Sequence, residues 1–497
     1  MNKHRALYRA RSARELDRVA IEELGIPGAV LMERAGAAAF AVLRAEWPAT
    51  KHIVVVCGAG NNAGDGFVVA RLAHESGLGV QVLAIDPNHG ASGDAARALQ
   101  RMEAAGLALQ AFDIGPLDAA DVVVDALLGT GLTRAVAGSW ADAVAAINAC
   151  GRPVLALDIP SGLSADSGAV LGCAVRAART VTFIGPKRGL YTGSGRAYCG
   201  SVSCADLEVP EVAYRAVPAD AELLALEDFA GVLGRRDRLA HKGANGHVLI
   251  VGGDYGYAGA ARLAGEAAAR VGAGLTSIVT RSEHVPVVVA ARPELMCRGV
   301  ATAGDMEALL RRASVIAVGP GLGRETWGRE LCAAVLAADC PVVVDADALN
   351  LVAEGAVRPG AHGAEYRIYT PHPGEAARLL DCAAAEIQAD RYAALEQLAA
   401  RYGGTWVLKG AGTLVGDGSA PPGVCAYGNP GMATGGMGDA LTGAIAALLA
   451  QGLAPAVAAR LGVCLHSRAA DLAAADGERG LLASDLMGHL RALVNTV

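Results

Sequence analysis

Several common signatures are missing from these 497 residues. The eleven cysteines form no CxxC pair, and those in "HIVVVCG" (Cys57) and "GVCLHS" (Cys464) sit in apolar patterns. That points away from a disulfide framework and towards reduced, buried thiols in a cytoplasmic protein. There is no GxxxxGK[ST], nor any GK pair, so a nucleotide would not be held by a P-loop; GxGxxG is also absent. No apolar run reaches membrane-spanning length without charges, and no membrane partner is expected. The Arg-rich start "MNKHRALYRARSARELDR" lacks the apolar centre of a signal peptide, and with Glu15 and Asp17 arriving early it reads as an opening helix. A net charge of -7, from 43 Lys+Arg against 50 Asp+Glu, is not that of a polycation. Nucleic acid held by phosphate neutralisation is therefore not an expected partner.

Aromatics make up only 4% of the chain, whereas 64 glycines punctuate Ala-rich apolar stretches. This is the texture of repeated strand, loop and helix, at a length that suits two or three α/β domains. "KHIVVVCGAGNNAGDGFVVARLAHESG" reads as a buried strand, a glycine loop and a helix. "GVQVLAID", "ADVVVDALLGTG", "RPVLALDIPSG" and "RTVTFIG" read as further parallel strands covered on both faces. The fold class is α/β, with a Rossmann-like doubly wound domain first. Residues 205–235, with two prolines and many charges, read as a linker and an incoming helix. A second strand series then starts at "GHVLIVGGD" and ends in helices, so the boundary is placed at 218, giving domains 1–218 and 219–497.

The stretch "NPGMATGGMGDALTGAIAALLAQG" places one acid, Asp439, between a glycine loop and a helical apolar pattern. Loop and first-turn amides there should converge on one point and attract an anion. A carboxylate beside such a point suits proton transfer at a centre that receives a phosphoryl group; on spacing alone, a helix-capping Asp explains it equally well. Lys409 in "VLKGAGTLV" ends a strand and opens a glycine turn, where it could meet a diphosphate or stand as a solvated charge. His372 in "TPHPGEAARLL" lies between two prolines before a helix, aimed into a cleft at the strand ends or idle in a loop.

"HKGANGHVLIVGG", "GYAGAARLAGEAAARVGAGL", "GPGLG", "VVVDADALN", "TPHPGEAARLL", "LKGAGT" and "NPGMATGGMGDALTG" occur in the order of the ADP/ATP-dependent NAD(P)H-hydrate dehydratases, which the second half of the chain therefore resembles. Those enzymes belong to the ribokinase-like superfamily, so a ribokinase-like α/β domain is implied. "GAGNNAGDG", "DALLGTGLTR" and "LDIPSG" resemble the NAD(P)H-hydrate epimerase domain, and the order epimerase then dehydratase is similar to that of the bifunctional bacterial repair enzymes. The implied substrates are the hydrates of NADH and NADPH (NADHX and NADPHX). The first domain would interconvert R and S forms. The second would dehydrate the S form by phosphorylating its hydroxyl from ADP or ATP with magnesium.

Residue by residue, the resemblance implies that Asp439 is the proton acceptor of the dehydratase and that Ala260, Gly321, His372 and Asp439 contact the hydrate. Lys409, Gly410, Ala411, Gly412, Thr413 and Gly438 would contact the adenine nucleotide. In the first domain it implies hydrate contacts from Asn61, Asn62, Ala63, Gly64 and Asp65, from Gly129, Thr130, Gly131, Leu132, Thr133, Arg134 and Ala135, and from Asp158, which is assigned acid/base chemistry. Asn62, Asp125 and Ser161 fall at strand ends, and an oxygen-only set suits a hard cation. The resemblance names that cation as potassium; without it, turn formation is the better account of these residues. Ala63 stands where many relatives carry Gly, a departure that matters if the position needs positive φ. A homo-oligomer is expected. Two other readings stay open: a ribokinase-like small-molecule kinase that releases a phosphorylated product, and a first domain that is a non-catalytic Rossmann-like binding module.

Overall fold

The computed structural model describes residues 5–86, 91–360 and 363–497. The chain separates into two compact units, Met1–Glu222 and Leu223–Val497. In the first, seven parallel strands form one sheet: β1 (His52–Cys57), β2 (Gly79–Ala84), β3 (Leu109–Ala111), β4 (Val122–Ala126), β5 (Val154–Leu157), β6 (Arg179–Phe183) and β7 (Ser201–Ala205). Their order is β3-β2-β1-β4-β5-β6-β7. Alternation along β1 sends Ile53, Val55 and Cys57 into one apolar cluster and Val54 and Val56 into another. Both faces of the strand are thus covered, which is why it reads as continuously β-branched.

The helices that matter for the site are α1 (Ala10–Arg18), α2 (Gly28–Glu46) and α3 (Asn61–Glu75). The expected opening helix is thus present from Ala10; residues 1–4 lie outside the described residues. Chain order reverses between β1 and β4. In a doubly wound sheet this leaves a crevice beyond the carboxyl ends of those two strands.

The second unit carries β8 (His247–Val251), β9 (Leu275–Thr280), β10 (Met296–Gly299), β11 (Val315–Val318), β12 (Val342–Val344), β13 (Arg367–Tyr369), β14 (Thr405–Leu408), β15 (Thr413–Gly416) and β16 (Gly423–Cys425). They lie in the order β16-β15-β14-β13-β12-β11-β8-β9-β10. β8 to β14 pair in parallel, whereas β15 and β16 join antiparallel, so "GTWVLKGAGTLV" is a hairpin that turns at the glycines after Lys409. The region read as linker also holds a helix, Glu211–Ala216, and a strand, Ala221–Leu224.

Helices α4 (Ala258–Val271), α5 (Ala346–Ala353), α6 (Pro373–Leu380), α7 (Arg391–Tyr402), α8 (Met437–Ala450) and α9 (Pro455–Ala473) complete what the second site needs. α4 and α8 pack so closely that a methyl on Gly443 would overlap the carbonyl oxygen of Ala264. Ala261, Ala268, Ala440, Ala444 and Ala447 share the same core cluster, which explains the alanine-rich composition of both helices. Among the described residues no helix is long and apolar enough to cross a membrane.

Candidate active sites

In the first unit the crevice beyond β1 and β4 is a cleft of about 1020 Å³. It is lined by Asn61, Asn62 and Asp65 of α3, by the whole run Gly129 to Ala135 after β4, and by Asp158 after β5. Of the residues singled out in "GAGNNAGDG", Ala63 and Gly64 instead pack inward: Ala63 is buried, and a side chain on Gly64 would strike Met32 of α2. Ala63 already belongs to α3 and has no positive φ, so its methyl costs the loop nothing. The helix starts at Asn61, earlier than a glycine loop running to residue 66 would allow.

Asp158 adopts φ 64° just past β5, a left-handed conformation uncommon for a non-glycine residue and typical of functional positions. Its Oδ1 ion-pairs with the Nζ of Lys187 and accepts from Thr182 Oγ1 at 3.2 Å and the Phe183 amide at 3.3 Å. Lys187 also donates to Thr182 Oγ1 at 3.1 Å and to the Phe183 carbonyl at 3.0 Å, so its buried ammonium has three acceptors. Sequence reasoning passed over Lys187, which sits in "IGPKRG" with no motif to mark it.

Behind this cleft, Ser161 and Asp125 are fully buried. The Ser161 amide donates to Asp125 Oδ2 at 2.8 Å and its hydroxyl to Oδ1 at 2.6 Å, while Ser161 Oγ accepts from the Leu128 amide at 2.8 Å. Burial raises the Asp125 carboxyl to about 6, against the pull of its bonds to Ser161 and the Leu127 amide. Asn62 lies against Gly129, one residue from Leu128, and both polar atoms of its amide are buried without a hydrogen bond among the described residues. Orphaned buried amides are rare, and this one fits a ligand that the chain itself does not supply.

The second site gathers at the carboxyl ends of β12, β13 and β14 and at the start of α8. Lys409, just past β14, is no solvated charge. Its Nζ sits 2.7 Å from Asp345 Oδ1 and 3.8 Å from Glu375 Oε2, next to Gly438. Burial works against its charge, but Asp345 and Glu375 outweigh it and hold the ammonium above its ordinary range. Asp345 in turn accepts from Thr370 Oγ1 and Thr442 Oγ1, both at 2.8 Å. The turn after Lys409 is fixed by the buried Arg391 of α7, which donates to the carbonyls of Leu408 at 3.0 Å and Lys409 at 3.2 Å. It closes through Thr413 Oγ1 on the Gly410 carbonyl at 3.0 Å. Gly410 and Gly412, either side of Ala411, both take positive φ.

Asp439 lies in the first turn of α8 and does not cap it: Gly436, at φ 90°, is the capping residue, and the Asp439 carboxyl forms no hydrogen bond among the described residues. Desolvation, with Asp345 and Asp347 adding like charge against the relief from Lys409, raises it to about 7. A carboxyl of that strength is suited to exchange protons near neutrality.

His372 caps α6: its Nδ1 accepts from the amides of Gly374 at 3.0 Å and Glu375 at 3.3 Å, which leaves the proton on Nε2, 3.3 Å from Glu375 Oε1. Burial, Lys409 and Arg378 all lower its pKa, so it is neutral here. Ala260 and Gly321 come together: Gly321 has φ 57°, and a side chain there would come within 2.6 Å of Tyr257 Cβ and 3.2 Å of Ala260 Cβ. Asp345, Asp347 and Glu375 were not singled out as site residues, although "VVVDADALN" and "TPHPGE" contain them.

Comparison with known proteins separates the same two halves. Residues 248–491 match the NAD(P)H-hydrate dehydratase family and residues 28–189 the YjeF-related protein N-terminus family. The bifunctional NAD(P)H-hydrate repair enzyme Nnr of Coxiella burnetii is 52% identical over 490 residues, covering 98% of this chain and 99% of that one. The chain belongs to the bifunctional NAD(P)H-hydrate repair enzyme family. The family's Escherichia coli member is 43% identical over 98% of this chain and 94% of its own length. Among solved structures, the hypothetic protein SMU.573 of Streptococcus mutans superposes with a TM-score of 0.51 at 27% identity, over 55% of this chain and 98% of that one. The family's two-part architecture, Rossmann-like then ribokinase-like, is the one described above.

Proposed function

We propose that this chain repairs hydrated nicotinamide cofactors, with residues 1–218 epimerising R- and S-NADHX and NADPHX and residues 219–497 dehydrating the S form at the expense of ADP or ATP. The observation that carries the reading is Asp439, a carboxyl with pKa about 7 and no hydrogen bond among the described residues, at an amide-rich helix start beside Lys409. Hydroxide leaves poorly and phosphate leaves well. Asp439 takes the proton from the C6 hydroxyl as the phosphoryl group arrives, while the amides around Gly436 to Gly438 and the Lys409 ammonium oppose the charge on the transferring oxygens. Loss of phosphate with the C5 proton then restores the ring double bond. The turn Lys409 to Thr413, with Gly438, would hold the adenine nucleotide, whose phosphates would carry the magnesium; Ala260, Gly321 and His372 would hold the hydrate.

In the first domain Asp158, oriented by Lys187, exchanges protons with the hydrate held by Asn61 to Asp65 and Gly129 to Ala135. Asn62, Asp125 and Ser161 would hold potassium: a single carboxylate with neutral oxygens suits a singly charged ion, which would bring positive charge and order to the strand ends. The retained oxygen set argues against a merely non-catalytic first module.

The test supplies a mixed pool of R and S NADH hydrates with ADP, ATP or no nucleotide, following reduced-nicotinamide absorbance and free phosphate together. Full recovery with matching phosphate is expected. Recovery that stops at the S fraction would remove the epimerase assignment, and a stable phosphorylated product without recovery would favour a ribokinase-like kinase.

A further inference from the structure

The first cleft holds an acid that neither the ion pair at Asp158 nor the cation set uses. Asp65 lies on α3, its residue only 9% exposed, and it lines the cleft with Asp158, Asp17 and Lys187. Its carboxyl makes no hydrogen bond or ion pair among the described residues, and its oxygens open onto the cleft. A buried carboxylate is ordinarily paired. Here the buried cation is already committed, because Lys187 spends its donors on Asp158, Thr182 and Phe183. Three carboxylates therefore share one ammonium, and the electrostatically economical solution is for one of them to keep its proton.

Burial selects Asp65 for that role, and Asp158 and Asp17 push in the same direction against Lys187, so its pKa lies well above the usual carboxylate range. The other charged groups on the cleft are Arg14 from α1, Asp94, which bonds Arg97, and Arg134 from the loop after β4. Two carboxyls whose surroundings hold one protonated and the other ion-paired are a division into acid and base.

We propose that Asp65 is the proton donor of the first site and Asp158 the acceptor, and that inversion proceeds by breaking and remaking the C6–O bond of the hydrate. The proposal rests on reading this cleft as the epimerase site. The proton of Asp65 passes to the C6 hydroxyl oxygen, the C6–O bond breaks with its electron pair on oxygen, and water departs. The N1 lone pair closes a C6=N1 iminium, whose positive charge the carboxylates stabilise. Water then adds to the opposite face and its proton passes to Asp158. Exchange with solvent returns one proton to Asp65 and removes one from Asp158, so no oxidant or reductant is consumed. Inversion in the other direction uses the same two groups.

The experiment gives the full chain the R hydrate of NADH without nucleotide, in water labelled with oxygen-18, and follows formation of the S hydrate and its label. Wild-type protein should place one label at C6 per inversion, and inversion without label overturns the proposal. Asp65→Asn should lower kcat by roughly 10²- to 10⁴-fold with KM changed less than about two-fold, and should abolish the fall in rate at alkaline pH. Asp65→Glu, which keeps the proton one methylene away, should recover much of the loss and decides the matter if the Asn variant does not fold. A raised KM with normal kcat, or Glu no better than Asn, overturns the acid role in favour of binding or packing. Wild-type protein that inverts nothing removes the epimerase reading itself, and Asp65's role with it.

Discussion

Asp439→Asn should separate stability from activity in opposite directions. In the folded protein this carboxyl keeps its proton up to about 7, whereas its ordinary value is 3.8. A difference of about three units, at ~1.4 kcal/mol each, makes the ionised form cost the folded state up to ~4 kcal/mol. Opposing this, an acid in the first turn of a helix is favourable by about 0.3–1 kcal/mol. Desolvation and repulsion by Asp345 and Asp347 win, so Asn should stabilise the second unit by roughly 3 kcal/mol at about pH 8. The sign follows from which state holds the proton. Between about pH 4 and 7 the folded form binds more protons than the unfolded one, so wild-type stability falls as pH rises through that window. The Asn variant lacks that slope, and the two proteins converge near pH 4. Urea unfolding of both proteins across this range measures the difference, and dehydration of the S hydrate measures the cost: turnover should fall by roughly 10²- to 10⁴-fold. A variant no more stable at pH 8 than at pH 5, relative to wild type, would refute the electrostatic argument. Near-normal turnover would reduce Asp439 to an ordinary first-turn acid.

Asp158→Asn should abolish conversion of R to S hydrate and spare dehydration of S, measured separately with each pure epimer; equal loss of both would break the division of labour between the domains. Exchanging potassium for lithium should slow the epimerisation and leave dehydration unchanged, because Asn62, Asp125 and Ser161 all belong to the first unit. Gly443→Ala should destabilise the second unit by about 1–3 kcal/mol through overlap with the Ala264 carbonyl, read as a lowered unfolding midpoint with the first unit's epimerase activity retained.

The parallel strands buried on both faces were legible, because runs such as "HIVVVC" and "HVLIV" carry no alternation to misread; the short, largely exposed strands Leu109–Ala111, Ser201–Ala205 and Met296–Gly299 were not. In the hairpin Thr405–Gly416 the strand end at Lys409 and the glycine turn were legible, but the turn "KGAG" leaves the direction of the second strand undetermined. Site residues showed in the sequence where the backbone itself is special: Asp439 after its glycines, His372 between its prolines, Asn62 at the head of a helix. Lys187, Asp345 and Glu375 were passed over for a physical reason. Each acts through a partner at least 29 positions away, Asp158 for Lys187 and Lys409 for the two acids, and a one-dimensional pattern carries no distance of that kind.

The close seating of Gly443 on Ala264 also limits how the second site can move. Ala260 stands near the head of α4 and Asp439 near the head of α8, so the parts assigned to the hydrate ring and to proton removal ride on two rods locked together a turn or so below. Rods fitted backbone to backbone cannot slide or rock without overlap, so their tips keep a constant gauge, like the jaws of a fixed caliper. The turns above them are tied down as well, Gly410 to Gly412 by Arg391 and Thr413 and Gly319 to Gly323 by the amides of Gly253 and Asp254 and the carboxylate of Asp347, so a ligand meets a gauge already set.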